Sequence, residues 1–154
     1  MNIVPLTLDN IPYAVNLAQE LHRLGTFGRE GPEFDWDYCT HTMILATKDP
    51  NYYFRLATLD DAYVGAVCGK VVQFFFSPKI MGLEDAWYVR EGTPKRAAIA
   101  VKLMQGFVGW CMDRGSVLVQ SGDIAGIQTL GVDALYRHMG FTRYGMIYKY
   151  ARET

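Results

Sequence analysis

No run in this 154-residue chain approaches the roughly 20 apolar residues that a membrane-spanning helix needs. Neither sign of charge is in excess: 15 Lys and Arg stand against 16 Asp and Glu, for a formal net charge of −1. General binders of nucleic acid or of membrane surfaces carry a basic surplus that is missing here. The three cysteines, Cys39, Cys68 and Cys111, lie far apart. They form neither a metal-ligand spacing nor a redox pair, and read as buried free thiols. His22, His41 and His138 are scattered in the same way, which argues against a metal site. There is no Gly-x-x-x-x-Gly-Lys, no Gly-x-Gly-x-x-Gly and no Gly-x-Ser-x-Gly. Nucleotide-hydrolysing and hydride-transfer enzymes need features of this kind, and the nucleophile elbow of a hydrolase is missing too. The opening residues MNIVPLTLDN lack the basic and apolar regions of an export signal, so the free thiols fit a reducing cytoplasm. Repeats, low-complexity tracts and linkers are also lacking, so one domain over residues 1–154 is expected.

What is present is 50% hydrophobic and 20% charged, the composition of a globular domain with a real core. Asn2 to Thr7 reads as an edge strand, where Pro5 is tolerated. Asp9 or Asn10 caps a helix with Pro12 in its first turn. Its apolar face is Ile11, Ala14, Val15, Ala18, Leu21 and Leu24, and Gly25 ends it. Thr26 to Glu33 reads as a loop, and Asp35 as the cap of a second helix from Trp36 to Thr47. Tyr52 to Thr58 and Tyr63 to Phe76 form an antiparallel hairpin about Asp60-Asp61, its second strand bent near Gly69. Gly82 to Val89 is the next strand. Ser116 to Ser121 is a short buried strand, Leu130 to Met139 a helix stopped by Gly140, and Phe141 to Ala151 a closing strand or hairpin.

The stretch from Glu84 to Gly115 organises the rest. A strand ends at Val89, turns through Arg90-Glu91-Gly92-Thr93-Pro94, and feeds a helix of about five turns from Lys95. Ala97, Val101, Met104, Val108 and Cys111 make one stripe for burial, and Arg114-Gly115 is a stop. The first N–H groups of such a helix have no partner within it and converge at the positive end of its dipole. Two cations and three alanines surround that opening in Lys95-Arg96-Ala97-Ala98-Ile99-Ala100, which suits a phosphate or diphosphate. An ordinary buried helix with a solvated basic start fits the same residues. The strand ending at Val89 and the one starting at Ser116 are joined by a helical crossover, so they should run parallel. If they splay, an extended ligand can thread between them.

Three local patterns carry a family resemblance. They are Trp87-Tyr88-Val89 before the turn and helix, the hairpin strand Tyr63-Val64-Gly65, and Ala134-Leu135-Tyr136-Arg137-His138-Met139-Gly140-Phe141. With the order of elements, they resemble the GNAT family, the GCN5-related N-acetyltransferases, over nearly the whole chain. The resemblance implies an α/β fold: a mixed, mostly antiparallel sheet of six to seven strands, flanked by about four helices, with a splayed parallel pair. It implies acetyl transfer from acetyl-CoA to a primary amine by direct attack in a ternary complex. The alternative is a GNAT-like module that binds an acyl-CoA or a protein partner without turnover. Neither metal, nucleic acid nor membrane is implied.

The resemblance also assigns roles. Amides around Trp87, Tyr88 and Val89 would hold the pantetheine arm, and those of Lys95, Arg96, Ala97, Ala98, Ile99 and Ala100 the diphosphate. Lys95 stands where the family has Arg or Gln, and Ala98 where it usually has Gly. Thr129 stands at the position of the usual Asn before the last helix. Tyr136 matches the acid that serves the departing thiolate; a half-buried aromatic packing the last helix is the other reading. Glu84 matches the glutamate that many members use as base, directly or through water. A solvated acidic strand end fits it as well, with proton loss directly to water. Asp85, its neighbour in a strand, should face the other way unless a bulge intervenes. The acceptor region would comprise residues 26–33, the second helix and the hairpins. Tyr52, Tyr53, Phe74, Phe75, Phe76 and Tyr148 line it or belong to the core. Glu30, Glu33, Asp35 and Asp37 give it an acidic entrance suited to a cationic amine. Phe74 to Phe76 read alternatively as a homodimer contact, since dimers are common in the family.

Overall fold

The computed structural model describes residues 1–122, 129–150 and 152, with 129 and 130 described by their backbone alone. β1 (Asn2–Pro5) is an edge strand, and α1 (Ile11–Leu24) follows it. Asn10 sits at the N-cap but bonds backwards instead of into the helix. Its Oδ1 accepts from Thr7 N (2.8 Å) and its Nδ2 donates to Pro5 O (3.0 Å), so a buried amide ties strand end to helix start. α2 (Thr26–Glu30) is one short helical turn where the sequence reads as a loop. Its glycines mislead there, because Gly28 is required by a close approach. A Cβ at Gly28 would lie 2.3 Å from His22 O. Asp35 caps α3 (Trp36–Lys48) as expected, its Oδ1 accepting from Tyr38 N at 2.9 Å.

β2 (Tyr52–Leu59) and β3 (Ala62–Gln73) form the hairpin, with Asp60 and Asp61 both at positive φ (50° and 63°) in the turn. Phe74, Phe75 and Phe76 do not continue β3. Phe74 N donates to Lys79 O (2.9 Å) and closes a turn, and Phe75 and Phe76 stand exposed. The Ser77-Pro78 break thus acts three residues earlier than composition suggests. β4 (Ile80–Val89), α4 (Arg96–Asp113), β5 (Val119–Gln120) and α5 (Thr129–His138) complete the order.

Among the described residues the sheet has five strands in the order β1-β2-β3-β4-β5, of which only the β4–β5 pair is parallel. That is fewer than the six to seven expected. The closing strand accounts for the difference: residues 141–150 carry strand-like alternation but pair with no described strand. The strand expected over 116–121 shrinks to the two residues Val119 and Gln120. Five helices are described, against about four expected, and α2 is the added one.

α1 and α3 cover one face of the sheet, where Leu6, Val15, Leu17, Leu56 and Tyr88 are buried. α4 covers the other, with Ile99, Leu103, Met104, Phe107 and Cys111 buried against Val67 and Val89. Each fully buried large side chain of this kind contributes about 1.5–3 kcal/mol. This corrects the stripe read from the sequence: Ala97 is exposed, and Val101 and Val108 are only partly covered. α4 is apolar on most sides, so periodicity alone does not select its inner face. The sheet takes the bulkier side chains and leaves the alanine out.

Candidate functional site

β4 and β5 part company almost at once. Val117 N donates to Ile80 O and Gly82 N to Leu118 O, and the register pairs Gly82 with Val119 and Leu83 with Gln120. β5 then ends, while β4 continues to Val89. The β3–β4 register sets what that open edge presents. It passes from Gly69 opposite Glu84 to Cys68 opposite Ala86, so Asp85 is an extra, unpaired residue: a β-bulge. Gly69 is needed there, because a Cβ on it would lie 2.4 Å from Leu83 O and 2.5 Å from Phe107 Cζ. Beyond the bulge, Arg90 N donates back to Val64 O (2.8 Å). Backbone groups alternate along an antiparallel strand. The amides and carbonyls of Trp87 and Val89 therefore face the edge that β5 leaves, and those of Tyr88 face β3. No described strand pairs with that edge. Arg96 Nε reaches across and donates to Val89 O (2.8 Å).

The two neighbouring acids face opposite sides of the sheet, the ordinary alternation of a strand, with the bulge's break in that alternation falling after them. Asp85 lies on the α1–α3 side, accepting from Tyr52 OH (2.8 Å) and lying 3.4 Å from Lys70 Nζ. Burial, with Cys68 and Asp85 beside it, holds the Tyr52 phenol well above its usual range. Glu84 lies on the α4–α5 side. Its Oε2 accepts from Ser121 Oγ (2.7 Å) and from Gly122 N (3.4 Å), and Ser121 Oγ lies 2.6 Å from Tyr136 OH. Glu84 and Tyr136, remote in sequence, are thus joined through one hydroxyl at the point where β4 and β5 diverge. Tyr136 is held by aromatic packing: its ring meets Trp87 and Phe141 edge to face, each at 5.2 Å. Trp87 in turn donates from Nε1 to Ala100 O (3.0 Å), fixing β4 to α4. Sequence reasoning missed Ser121, a lone serine at the end of a two-residue strand with no motif around it.

At the start of α4, Lys95 is the N-cap and takes the left-handed conformation, φ 56° and ψ 31°. Among the described residues no side chain caps this helix end. Ile99 N is the first amide to bond within it, donating to Lys95 O (3.1 Å). The amides of Arg96, Ala97 and Ala98 therefore have no acceptor inside the helix. A left-handed residue followed by helical ones turns successive N–H groups into one concavity, a shape that receives anions. Ala97 and Ala98 are exposed and Ile99 and Ala100 are buried, so only the first part of the segment 95–100 opens outward. Thr129 begins α5; its side chain lies outside the described residues.

Several of the side chains suggested for an acceptor region are engaged elsewhere, while Glu33 lines a cavity with others of residues 26–33. Tyr53 is buried against Phe107 and Trp110, Tyr52 serves Asp85, and Asp35 serves the α3 cap. Glu30 pairs with Lys149, and Phe75 and Phe76 stand away in their turn. That cavity, of about 710 Å³, opens between α1, the α2 region and the end of β4. Glu20, His22, Glu33, Phe34 and Arg90 line it. Glu20 there accepts from Tyr88 OH (2.9 Å) and Arg90 Nε (3.0 Å). Among the described residues no group of three or more His, Cys, Asp or Glu is placed to hold a metal ion. None of the described helices is long and apolar enough to cross a membrane.

No family model matches the chain, and no curated protein sequence does. Solved structures do. The aminoglycoside N-acetyltransferase AAC(6')-Iy, in complex with the bisubstrate analogue CoA-S-monomethyl-acetylneamine, superposes with a TM-score of 0.78 at 12% identity, over 99% of this chain and 98% of that one. The aminoglycoside 6'-N-acetyltransferase of Acinetobacter haemolyticus gives 0.75 at 13% identity, over 100% and 99%. An aminoglycoside acetyltransferase from an uncultured soil sample, in complex with sisomicin, gives 0.70 at 17%, over 99% and 95%. This chain therefore has the fold of the GCN5-related N-acetyltransferases.

Proposed function

We propose that this protein transfers an acetyl group from acetyl-CoA to a primary amine of a small molecule, by direct attack while both are bound. One observation carries the reading: Glu84 and Tyr136 are brought together at the divergence of β4 and β5, beside the unpaired edge of Trp87 and Val89. Transfer of an acetyl group to an amine needs a group to take the amine proton, donors for the tetrahedral oxyanion, and a proton for the leaving thiolate. Glu84 takes the first, directly or through water. The outward amides of β4 hold the pantetheine arm and the thioester oxygen. Tyr136 serves the sulfur. The uncapped start of α4 takes the diphosphate, with Lys95 and Arg96 adding charge. The fold's likeness to aminoglycoside N-acetyltransferases, one of them solved both with CoA and with a CoA conjugate, supports acetyl-CoA as donor and a small amine as acceptor.

The test is a screen for free thiol released from acetyl-CoA across amine classes, aminoglycosides and polyamines included. At least one class should give saturable release. Tyr136→Phe should then lower kcat by about 100- to 10,000-fold, the range for a general acid. It should leave intact the thermal stabilisation that CoA gives by binding the native state. Stabilisation by CoA with no release from any class would instead favour a binding module.

A further inference from the structure

We infer that Ser121 is a proton-relay residue coupling Glu84 to Tyr136, so that the charge left by one proton transfer is cancelled by the other. The inference rests on the acetyl-transfer reading above and extends it to a residue to which that reading gives no role. A serine hydroxyl has a single proton to give. An ionised carboxylate only accepts, so Ser121 donates to Glu84 Oε2 across 2.7 Å. The 2.6 Å contact between Ser121 Oγ and Tyr136 OH must then run the other way, with the phenol donating. The resting order is one-directional: Tyr136 O–H to Ser121 O–H to the Glu84 carboxylate. Both contacts are short, as expected of a charge-terminated chain.

The order reverses when Glu84 holds a proton. In the transfer, the amine nitrogen forms its bond to the acetyl carbon and gives a proton to Glu84. The carbon–sulfur bond breaks, and the sulfur keeps the electron pair and takes the phenol proton of Tyr136. Ser121 then passes its proton to the tyrosinate oxygen and receives the one on Glu84. The net movement is one proton from nitrogen to sulfur, and all three side chains return to their starting state. Without Ser121, Tyr136 loses this direct route for recovering its proton from Glu84.

The experiment measures steady-state thiol release by the full chain with the best amine of the screen. Ser121→Ala should lower kcat by about 10- to 100-fold, part of the range for acid–base groups. The KM for acetyl-CoA should stay within about twofold of wild type. Ser121→Thr, which keeps the hydroxyl, should restore most of the rate. In Ser121→Ala, a small buffer acid such as imidazole should accelerate turnover, an effect that a packing defect does not produce. Ser121→Ala combined with Tyr136→Phe should be no slower than Tyr136→Phe alone, because the relay acts only through the phenol. Should Ser121→Ala unfold, Ser121→Cys keeps the volume with a weaker donor and should fall between wild type and the expected alanine rate. Wild-type turnover in Ser121→Ala, or losses that multiply in the double variant, would overturn the relay and leave acetyl transfer standing. A wild-type protein that binds CoA but releases no thiol would remove the transfer reading, and the relay with it.

Discussion

Lys95→Gly should make the protein more stable and a poorer binder of CoA at the same time. Lys95 takes φ 56° and ψ 31° at the start of α4 with an exposed side chain. A left-handed conformation costs a residue with a Cβ about 1–2 kcal/mol. Glycine removes that cost and gives back about 0.4–1 kcal/mol through a freer unfolded chain. The net gain is about 0.5–1 kcal/mol, or roughly 1–4 °C in Tm at this chain length. The lost ammonium weakens an anion's binding by the worth of an exposed charge pair, about 0.2–1 kcal/mol. That is up to about fivefold in Kd, and it shrinks as salt rises. Lys95→Ala separates the two effects, because it keeps the strained backbone and loses the charge. It should weaken CoA binding as much as Lys95→Gly and gain none of the stability. Urea unfolding and calorimetric titration with CoA at low salt measure both quantities. A loss of stability in Lys95→Gly would refute the strain argument. An unchanged Kd in both variants would refute the placement of the diphosphate.

Gly69→Ala should destabilise by about 1–3 kcal/mol, the cost of overpacking. The added Cβ would meet Leu83 O and Phe107 at under 3 Å. Because Gly69 lies opposite Glu84 in the β3–β4 register, residual activity should fall further than the folded fraction does; activity that tracks folding alone would contradict this. Stability should also decline at alkaline pH. Burial, with Glu20 beside it, pushes the Tyr88 phenol from 10.0 up to about 12, and burial pushes the Cys68 thiol from 9.0 up to about 12. The unfolded chain loses these protons first, so their contribution is whole below about pH 9 and lost as pH rises through about 12. Tyr88→Phe should flatten part of that decline in urea unfolding, whereas a flat wild-type profile would remove the premise.

The unit from β4 through the turn to α4 was legible because each part has a chemical marker: β-branched and aromatic strand residues, Gly92 and Pro94 in the turn, Arg114-Gly115 at the stop. The parallel crossover followed from chain order alone. Glu84 and Tyr136 were named through the family resemblance, and only coordinates could show them meeting through Ser121. The bulge at Asp85 was not legible, because it depends on which residues of β3 lie opposite. Lys95 gave no warning of its left-handed backbone, a conformation that glycine ordinarily signals. The alternation of Tyr144, Met146, Tyr148 and Tyr150 spells a strand, but alternation does not name the edge it pairs with.

The central claim is that the gap beyond Leu83 and Gln120 and the uncapped end of α4 together receive the donor. Backbone amide NMR during a CoA titration tests it most directly. The amides of Trp87, Val89, Arg96, Ala97 and Ala98 should shift together and saturably, while that of Tyr88, turned toward β3, shifts much less. Shifts confined to the α1–α3 face around Glu20 and Phe34, or none at saturating CoA, would contradict the account.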